Sequence, residues 1–315
     1  MMKKVFMFSG QGSHYYQMGR DLYRQQPVFR NSMDQMDALA QGWLGQSVVQ
    51  ALYGEHGMGE PFDDIRLTHP AIFMVEYALA RSLMEQGVLP DMTLGASLGT
   101  YAALAVAGWA SMPDMLELVI RQGLAIAQHC PKGGMLAVLN DPACYDASPF
   151  LQARSVIAGR NFSRHFVLAV PQANMAAVEA YLLRQDMIYQ PLLIQYPFHA
   201  LWIDALRPFI PQVRTSGRVR PSATPVLCCA SGGLLGSIPD DYFWQVARSE
   251  ILFMNAVETM ENMGSFHYLD VGPSGTLAGF LKYLLPADSL SQSHVFMKPF
   301  GHDVDNFSNA ISKLP

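Results

Sequence analysis

Gly95-Ala96-Ser97-Leu98-Gly99 sets a serine between two glycines, after the apolar stretch Met92–Leu94 and before a run rich in alanine and leucine. This is the G-x-S-x-G spacing of a strand-to-helix elbow, where glycines let backbones pass closely and the serine hydroxyl stands at a helix N-terminus. The Leu98 amide then points at any oxyanion that forms when Ser97 attacks a carbonyl. Ser97 is therefore the candidate nucleophile of an acyl transfer. The five-residue pattern recurs by chance; the strand before it and the helix after it give it weight.

A serine hydroxyl attacks at neutral pH only with a base in hydrogen-bond reach, and nine histidines compete for that part. His199, in Gln195-Tyr196-Pro197-Phe198-His199, follows the apolar Leu192–Ile194 and precedes an amphipathic segment. Its ring can emerge from a loop at a cleft edge, although position alone does not separate it from the other eight. Phe8-Ser9-Gly10-Gln11-Gly12-Ser13-His14 follows the first apolar run and is rich in glycine. It lacks both G-x-G-x-x-G and the lysine of a phosphate loop. Two readings remain: a tight turn at a strand end, or a loop whose Gln11 amide joins that of Leu98 in an oxyanion hole.

The elements that must position these residues follow from apolar runs bounded by glycine or proline. Strands are expected at Val5–Phe8, Met92–Leu94, Met135–Leu139, Val156–Ala158, Phe166–Val170, Leu192–Ile194, Val226–Cys229 and Tyr268–Val271. Helical periodicity marks Pro70–Gln86, Leu98–Trp109, Pro113–His129, Ala173–Arg184 and Ala200–Val213. Alternating strands and helices predict an α/β fold with a largely parallel sheet. Between Met135 and Ile194, about four short strands crowd around two helices, the rhythm of a ferredoxin-like α+β unit. The expected organisation is a large domain over residues 1–128 and 196–315, with a small domain, 129–195, inserted into it. Ser231–Ser237 reads as a surface loop.

The 315 residues are 50% hydrophobic and 15% charged, with a formal net charge of -5. That composition suits a well-filled interior and argues against disorder. The acidic balance and the lack of lysine-arginine runs exclude a nucleic-acid footprint. The opening Met1–Ser13 has too short an apolar run for an export signal and reads as a first buried strand; no stretch reaches membrane-spanning length. A cytoplasmic location is expected. Cys130, Cys144, Cys228 and Cys229 form no C-x-x-C pair, and the adjacent Cys228-Cys229 read as small apolar residues of a buried strand, with no metal or disulfide role.

Together these stretches resemble one family, the malonyl-CoA:acyl-carrier-protein transacylases and the acyltransferases of polyketide synthases. The matching pieces are FSGQGSHYYQMG, THPAIF at Thr68–Phe73, GASLGTYAALAVAG at Gly95–Gly108, YPFHA at Tyr196–Ala200 and DVGPSGTLAGFL at Asp270–Leu281, in the family's order and across nearly the whole chain. The resemblance implies a hydrolase-like large domain with the small domain across a cleft. It makes Ser97 the acyl-carrying nucleophile, His199 its general base, and the Gln11 and Leu98 amides the oxyanion hole. A backbone carbonyl rather than a carboxylate would orient the histidine, here near Val246. No tightly bound cofactor or metal is implied; the thioester of an acyl carrier protein's phosphopantetheine arm, or of coenzyme A, is substrate. The protein is expected to act as a monomer.

The sequence departs from the malonyl-handling pattern. Those members keep an arginine whose planar fork can hold the substrate carboxylate in a bidentate pair. Counted without gaps from Ser97, that position is Gln122. Arg121 is adjacent, but one residue on a helix is a turn of about 100°, which aims it away from the cleft. Ala96 stands where the family usually has histidine, and Thr100 where many members have glutamate. Phe198 is the aromatic seen in malonyl-selecting polyketide acyltransferases; it would also suit a small acyl chain such as acetyl, so it does not decide between them. An acyl pocket of Gln122, Phe198 and Ala96 then favours an uncharged acyl chain. Within the family the chain looks like the acyl hydrolases found beside stand-alone acyltransferases in polyketide systems, which carry glutamine in place of the arginine. The implied activity is the editing hydrolysis of short acyl groups from acyl carrier proteins. The alternatives are a malonyl transacylase loading carrier protein in trans, and an idle carrier-docking protein.

Overall fold

The computed structural model describes residues 2–210 and 219–314. The chain starts with strand β1 (Lys3–Phe8), whose last four residues are buried, and continues through helices α1 (Arg20–Gln25), α2 (Pro27–Leu44), α3 (Val48–Tyr53) and α4 (Ile65–Glu85). Strand β2 (Met92–Gly95), α5 (Gly99–Val106) and α6 (Met112–His129) complete the first half. The smaller unit follows with β3 (Gly133–Leu139), α7 (Ala143–Asp146), α8 (Pro149–Gln152), β4 (Val156–Phe162), β5 (His165–Pro171), α9 (Met175–Arg184) and β6 (Ile188–Pro191). The chain then forms β7 (Val226–Cys228), β8 (Gly233–Leu234), α10 (Tyr242–Arg248), β9 (Ile251–Leu252), α11 (Phe253–Glu261), β10 (Phe266–Asp270), α12 (Thr276–Leu281), β11 (Gln292–Val295) and α13 (Asp303–Ile311).

The larger sheet has the order β11-β10-β1-β2-β7-β8, with every pair parallel except the β7–β8 hairpin. Helices cover both faces, so its central strands β1, β2 and β7 are buried along consecutive residues rather than alternately, while the edge strand β11 is Gln-Ser-His-Val. One core cluster packs Phe6 and Phe8 under α2, α4, α5 and α6, and another packs Val5, Met7 and Leu94 under α11 and α12. In the central register Phe8 lies opposite Gly95, and Gly95 opposite Cys228. The C-terminal ends of β1 and β2 are thus neighbours, the crevice in which open α/β sheets place their ligands. The fold is the expected α/β class.

The second sheet has the order β6-β3-β5-β4-β9. Four of its strands lie between residues 133 and 191 and pair antiparallel; the fifth, β9, comes from later in the chain and pairs parallel with β4, Gly159 opposite Ile251. This strand is too short to leave a periodic signal, and it ties the small unit to the large one.

Three expectations differ, the first being that Ser231–Ser237, read as a surface loop, holds the short strand β8, whose Leu234 pairs with Leu227 of β7. Leu192–Ile194 is not a strand: the strand is Ile188–Pro191, and the Ile194 N–H then donates to the Leu192 carbonyl at 2.7 Å, bending the chain away from the sheet. Leu201–Phe209, within the expected helix Ala200–Val213, winds as a tighter 3-10 helix ending at Pro208-Phe209, because proline lacks the N–H that would continue it; residues 211–213 lie outside the described residues. Among the described residues no helix is long and apolar enough to cross a membrane.

Candidate active site

Ser97 adopts φ 52°, the left-handed region, which costs a non-glycine residue about 1–2 kcal/mol. The flanking glycines are required by contact. A Cβ on Gly95 would lie 2.4 Å from the Thr100 Cα, and one on Gly99 would lie 2.2 Å from the Phe8 carbonyl oxygen. Both obstacles are backbone, so neither can move aside cheaply. This close passage presses α5 onto the end of β1.

His199, also at positive φ (57°), brings Nε2 to 2.9 Å from the Ser97 Oγ. Its Nδ1 lies 2.7 Å from the Ser249 carbonyl oxygen. A carbonyl only accepts, so Nδ1 carries the proton and Nε2 presents its lone pair to the serine. The orienting carbonyl is therefore Ser249, not Val246. Val246 sits inside α10, where carbonyls run along the helix axis, while Ser249 caps that helix in an extended conformation (ψ 154°) and frees its carbonyl for the imidazole. Burial pulls the His199 pKa down to about 4, against the opposing effect of the Ser249 hydrogen bond, and Arg248 lowers it further. The imidazole is neutral at physiological pH, the form a general base requires.

The Gly10-Gln11 loop lies against the elbow: a Cβ on Gly10 would be 3.1 Å from the Ser97 Cβ and 3.5 Å from the Leu98 nitrogen. Among the described residues, neither the Gln11 nor the Leu98 amide donates to another protein group. Two free N–H groups beside a serine hydroxyl can bind a developing oxyanion. The loop is fixed from below by residues that sequence reading did not single out. Glu76 of α4, fully buried, accepts from the Ser9 N–H at 2.7 Å, and the Ser9 Oγ lies 2.8 Å from the same oxygen. Thr68 accepts from the Gln11 side-chain amide at 2.9 Å. Burial pushes the Glu76 carboxyl well above its ordinary pKa, against the two Ser9 hydrogen bonds, and nearby Asp270 adds to the rise. The available signal was a single charge within the stretch from Leu67 to Ala80 of that helix.

A cavity of about 340 Å³ opens in front of Ser97 and His199, between the two sheets. Ala96 and Phe198 line it, as expected, with Met135, Val167 and Phe280 among its apolar walls. Asn161 and His165 of the small unit supply its far polar side, Asn161 Nδ2 lying 3.0 Å from His165 Nδ1. None of the described residues lining the cavity is lysine or arginine.

Gln122 is not among these lining residues. Its side-chain oxygen accepts from the Tyr101 hydroxyl at 2.5 Å within the α5–α6 packing, because a buried carboxamide takes the nearest strong donor. Arg121 faces outward, 58% exposed, and pairs with Glu117 one turn back at 2.7 Å. The expected rotation of Arg121 away from the cleft is what the helix shows.

The elbow Ser97, the buried His199 and the Gly10-Gln11 loop thus meet at the C-terminal edge of the parallel sheet. Residues 5–224 match the family described as acyl transferase domain, and the chain belongs to that family. It is 36% identical over 306 residues to the polyketide biosynthesis acyltransferase homolog PksD of Bacillus subtilis, covering 96% of this chain and 94% of that one. It is 38% identical over 297 residues to the homolog BaeD of Bacillus velezensis, covering 94% and 92%. Among solved structures, a loading acyltransferase from the avermectin modular polyketide synthase superposes with TM-score 0.86 at 25% identity, covering 98% of this chain and 99% of that one. MCAT from Streptococcus pneumoniae superposes with TM-score 0.79 at 26% identity, covering 99% and 100%.

Proposed function

We propose that this acyltransferase of polyketide biosynthesis is an editing hydrolase, which removes short uncharged acyl groups from acyl carrier proteins. In this reading Ser97 attacks the thioester carbonyl while His199 Nε2 takes its proton. The Gln11 and Leu98 amides hold the oxyanion, and His199 returns the proton to the departing thiol. A water that His199 deprotonates then attacks the acyl-serine carbonyl, and His199 passes that proton to the departing Ser97 Oγ, releasing the free acid and restoring both side chains.

The observation that supports this reading is that no lysine or arginine is among the described residues lining the cavity. A carboxylate desolvated in a cavity without a positive partner is strongly disfavoured. On α6, Arg121 is paired on the outer face, and neutral Gln122 is held by Tyr101. The apolar cavity walls suit a neutral chain instead.

Intact-protein mass spectrometry of carrier protein tests this. Acetyl-loaded carrier, incubated in buffer with the enzyme, should lose its acetyl group, and holo-carrier with malonyl-CoA should gain no malonyl group; Ser97→Ala should do neither. Rapid malonyl loading would make the protein a malonyl transacylase acting in trans. A carrier left unchanged in both incubations would make it a carrier-docking protein without catalysis.

A further inference from the structure

Helix α12 has two working faces. Thr276, Leu277 and Phe280 line the catalytic cavity, while Ala278, Gly279 and Lys282 line a separate hollow of about 480 Å³ on the other side. That hollow is also bounded by Lys298, Lys313 and Phe300. The chain has six lysines in all, so half of them surround this one depression. All three are exposed, none is in an ion pair among the described residues, and no aspartate or glutamate is among the described residues lining it.

On a molecule of formal charge -5, such a concentration of positive charge is a local reversal of the field. An acidic partner is repelled by the surface at large and drawn to this spot, which raises its encounter rate and fixes its orientation. Phe300, 88% exposed beside Lys298, adds the large apolar contact that protein interfaces place among charges.

We propose that this lysine-lined hollow docks the acidic carrier protein that presents the acyl thioester. The inference rests on the reading of the site as acting on carrier-bound acyl groups. A carrier seated there would sit against the same helix whose Thr276, Leu277 and Phe280 line the catalytic cavity. The hollow selects the protein; the cavity selects the acyl group.

Two measurements test the proposal on the variant Lys298→Glu/Lys313→Glu. In the first, an acetyl-loaded acyl carrier protein from a polyketide synthase and the small thioester acetyl-N-acetylcysteamine are compared as substrates. The variant should raise KM for the carrier at least tenfold, lose the salt dependence of carrier turnover, and leave the small thioester and kcat unchanged. Equal losses on both substrates, or an unchanged carrier KM, would overturn the docking assignment. In the second, carrier lacking the arm is titrated against Ser97→Ala enzyme with and without the lysine substitutions, read by fluorescence anisotropy. The substitutions should weaken Kd at least tenfold, and inorganic phosphate at millimolar concentration should not compete. Competition by phosphate would make the hollow a small-anion site. Binding is read here without turnover, so failure of the hydrolase reading and failure of docking give different results.

Discussion

At the scale of single residues, the site depends on His199 being buried yet held by one carbonyl. Its pKa is drawn down to about 4, so the basic form is retained as pH falls through the ordinary histidine range. The acid limb of kcat/KM for acyl-thioester cleavage should therefore lie well below pH 6, with turnover nearly flat from pH 8 to 6. A limb centred near 6.5 would show that burial does not suppress protonation. His199→Gln should lower turnover by about 10²–10⁴, measured by thiol release. Tyr101→Phe is the second residue-scale case. It leaves the Gln122 oxygen buried without its donor, and should reduce stability by about 1–3 kcal/mol, seen as a lower denaturation midpoint in urea.

Elements decide the site through close approach rather than through propensity. The elbow works because α5 meets the ends of β1 and β2 with no side chain between them. Gly99→Ala places a Cβ against the Phe8 carbonyl, an overpacking that should cost about 3 kcal/mol or more and abolish activity with it. Gly42, exposed in the last turn of α2, has nothing within 4 Å of the same added atom. Gly42→Ala should leave activity intact and stabilise by about 0.5–1 kcal/mol through reduced backbone freedom. Calorimetry of the two variants separates contact from conformational entropy. If both fall together, the elbow glycines are not special.

Over the whole molecule, buried titratable groups pull stability in opposite directions with pH. His14, His69, His199 and His294 have pKa values lowered by burial to about 4, 3, 4 and 4. Their unfolded forms bind protons first, so stability is full above pH 6.5 and is lost as pH falls towards 4. Asp270 and Asp303 are raised by burial to about 6, and Glu76 is raised well above its ordinary value. These carboxyls act oppositely, contributing stability at low pH that is lost as pH rises from about 4 towards their folded values. Glu76→Gln keeps an acceptor for Ser9 without a charge to bury. Its melting temperature relative to the parent should therefore climb as pH rises from 5 to 8, and a pH-independent difference would show that Glu76 is already charged in the folded protein.

What the sequence determined by itself was local: a serine between glycines after an apolar run, a glycine loop after the first strand, a histidine behind proline, and a glutamine where a cation could have stood. Neighbouring residues fix such features, so they are legible without coordinates. What only tertiary structure decided was which distant atoms meet. Val246 and Ser249 are three residues apart, yet only the end of α10 turns a carbonyl towards His199. Gln122 read as a cavity wall until the Tyr101 hydroxyl, from another helix, claimed its oxygen. Strand β9 has two residues and no periodicity, so its place beside β4 follows from packing alone. Glu76, the one charge in the stretch from Leu67 to Ala80, supports the loop after β1 because its carboxyl group receives the Ser9 N–H. Local patterns encode the chemistry a chain can attempt; long-range contacts set the distances at which it can occur.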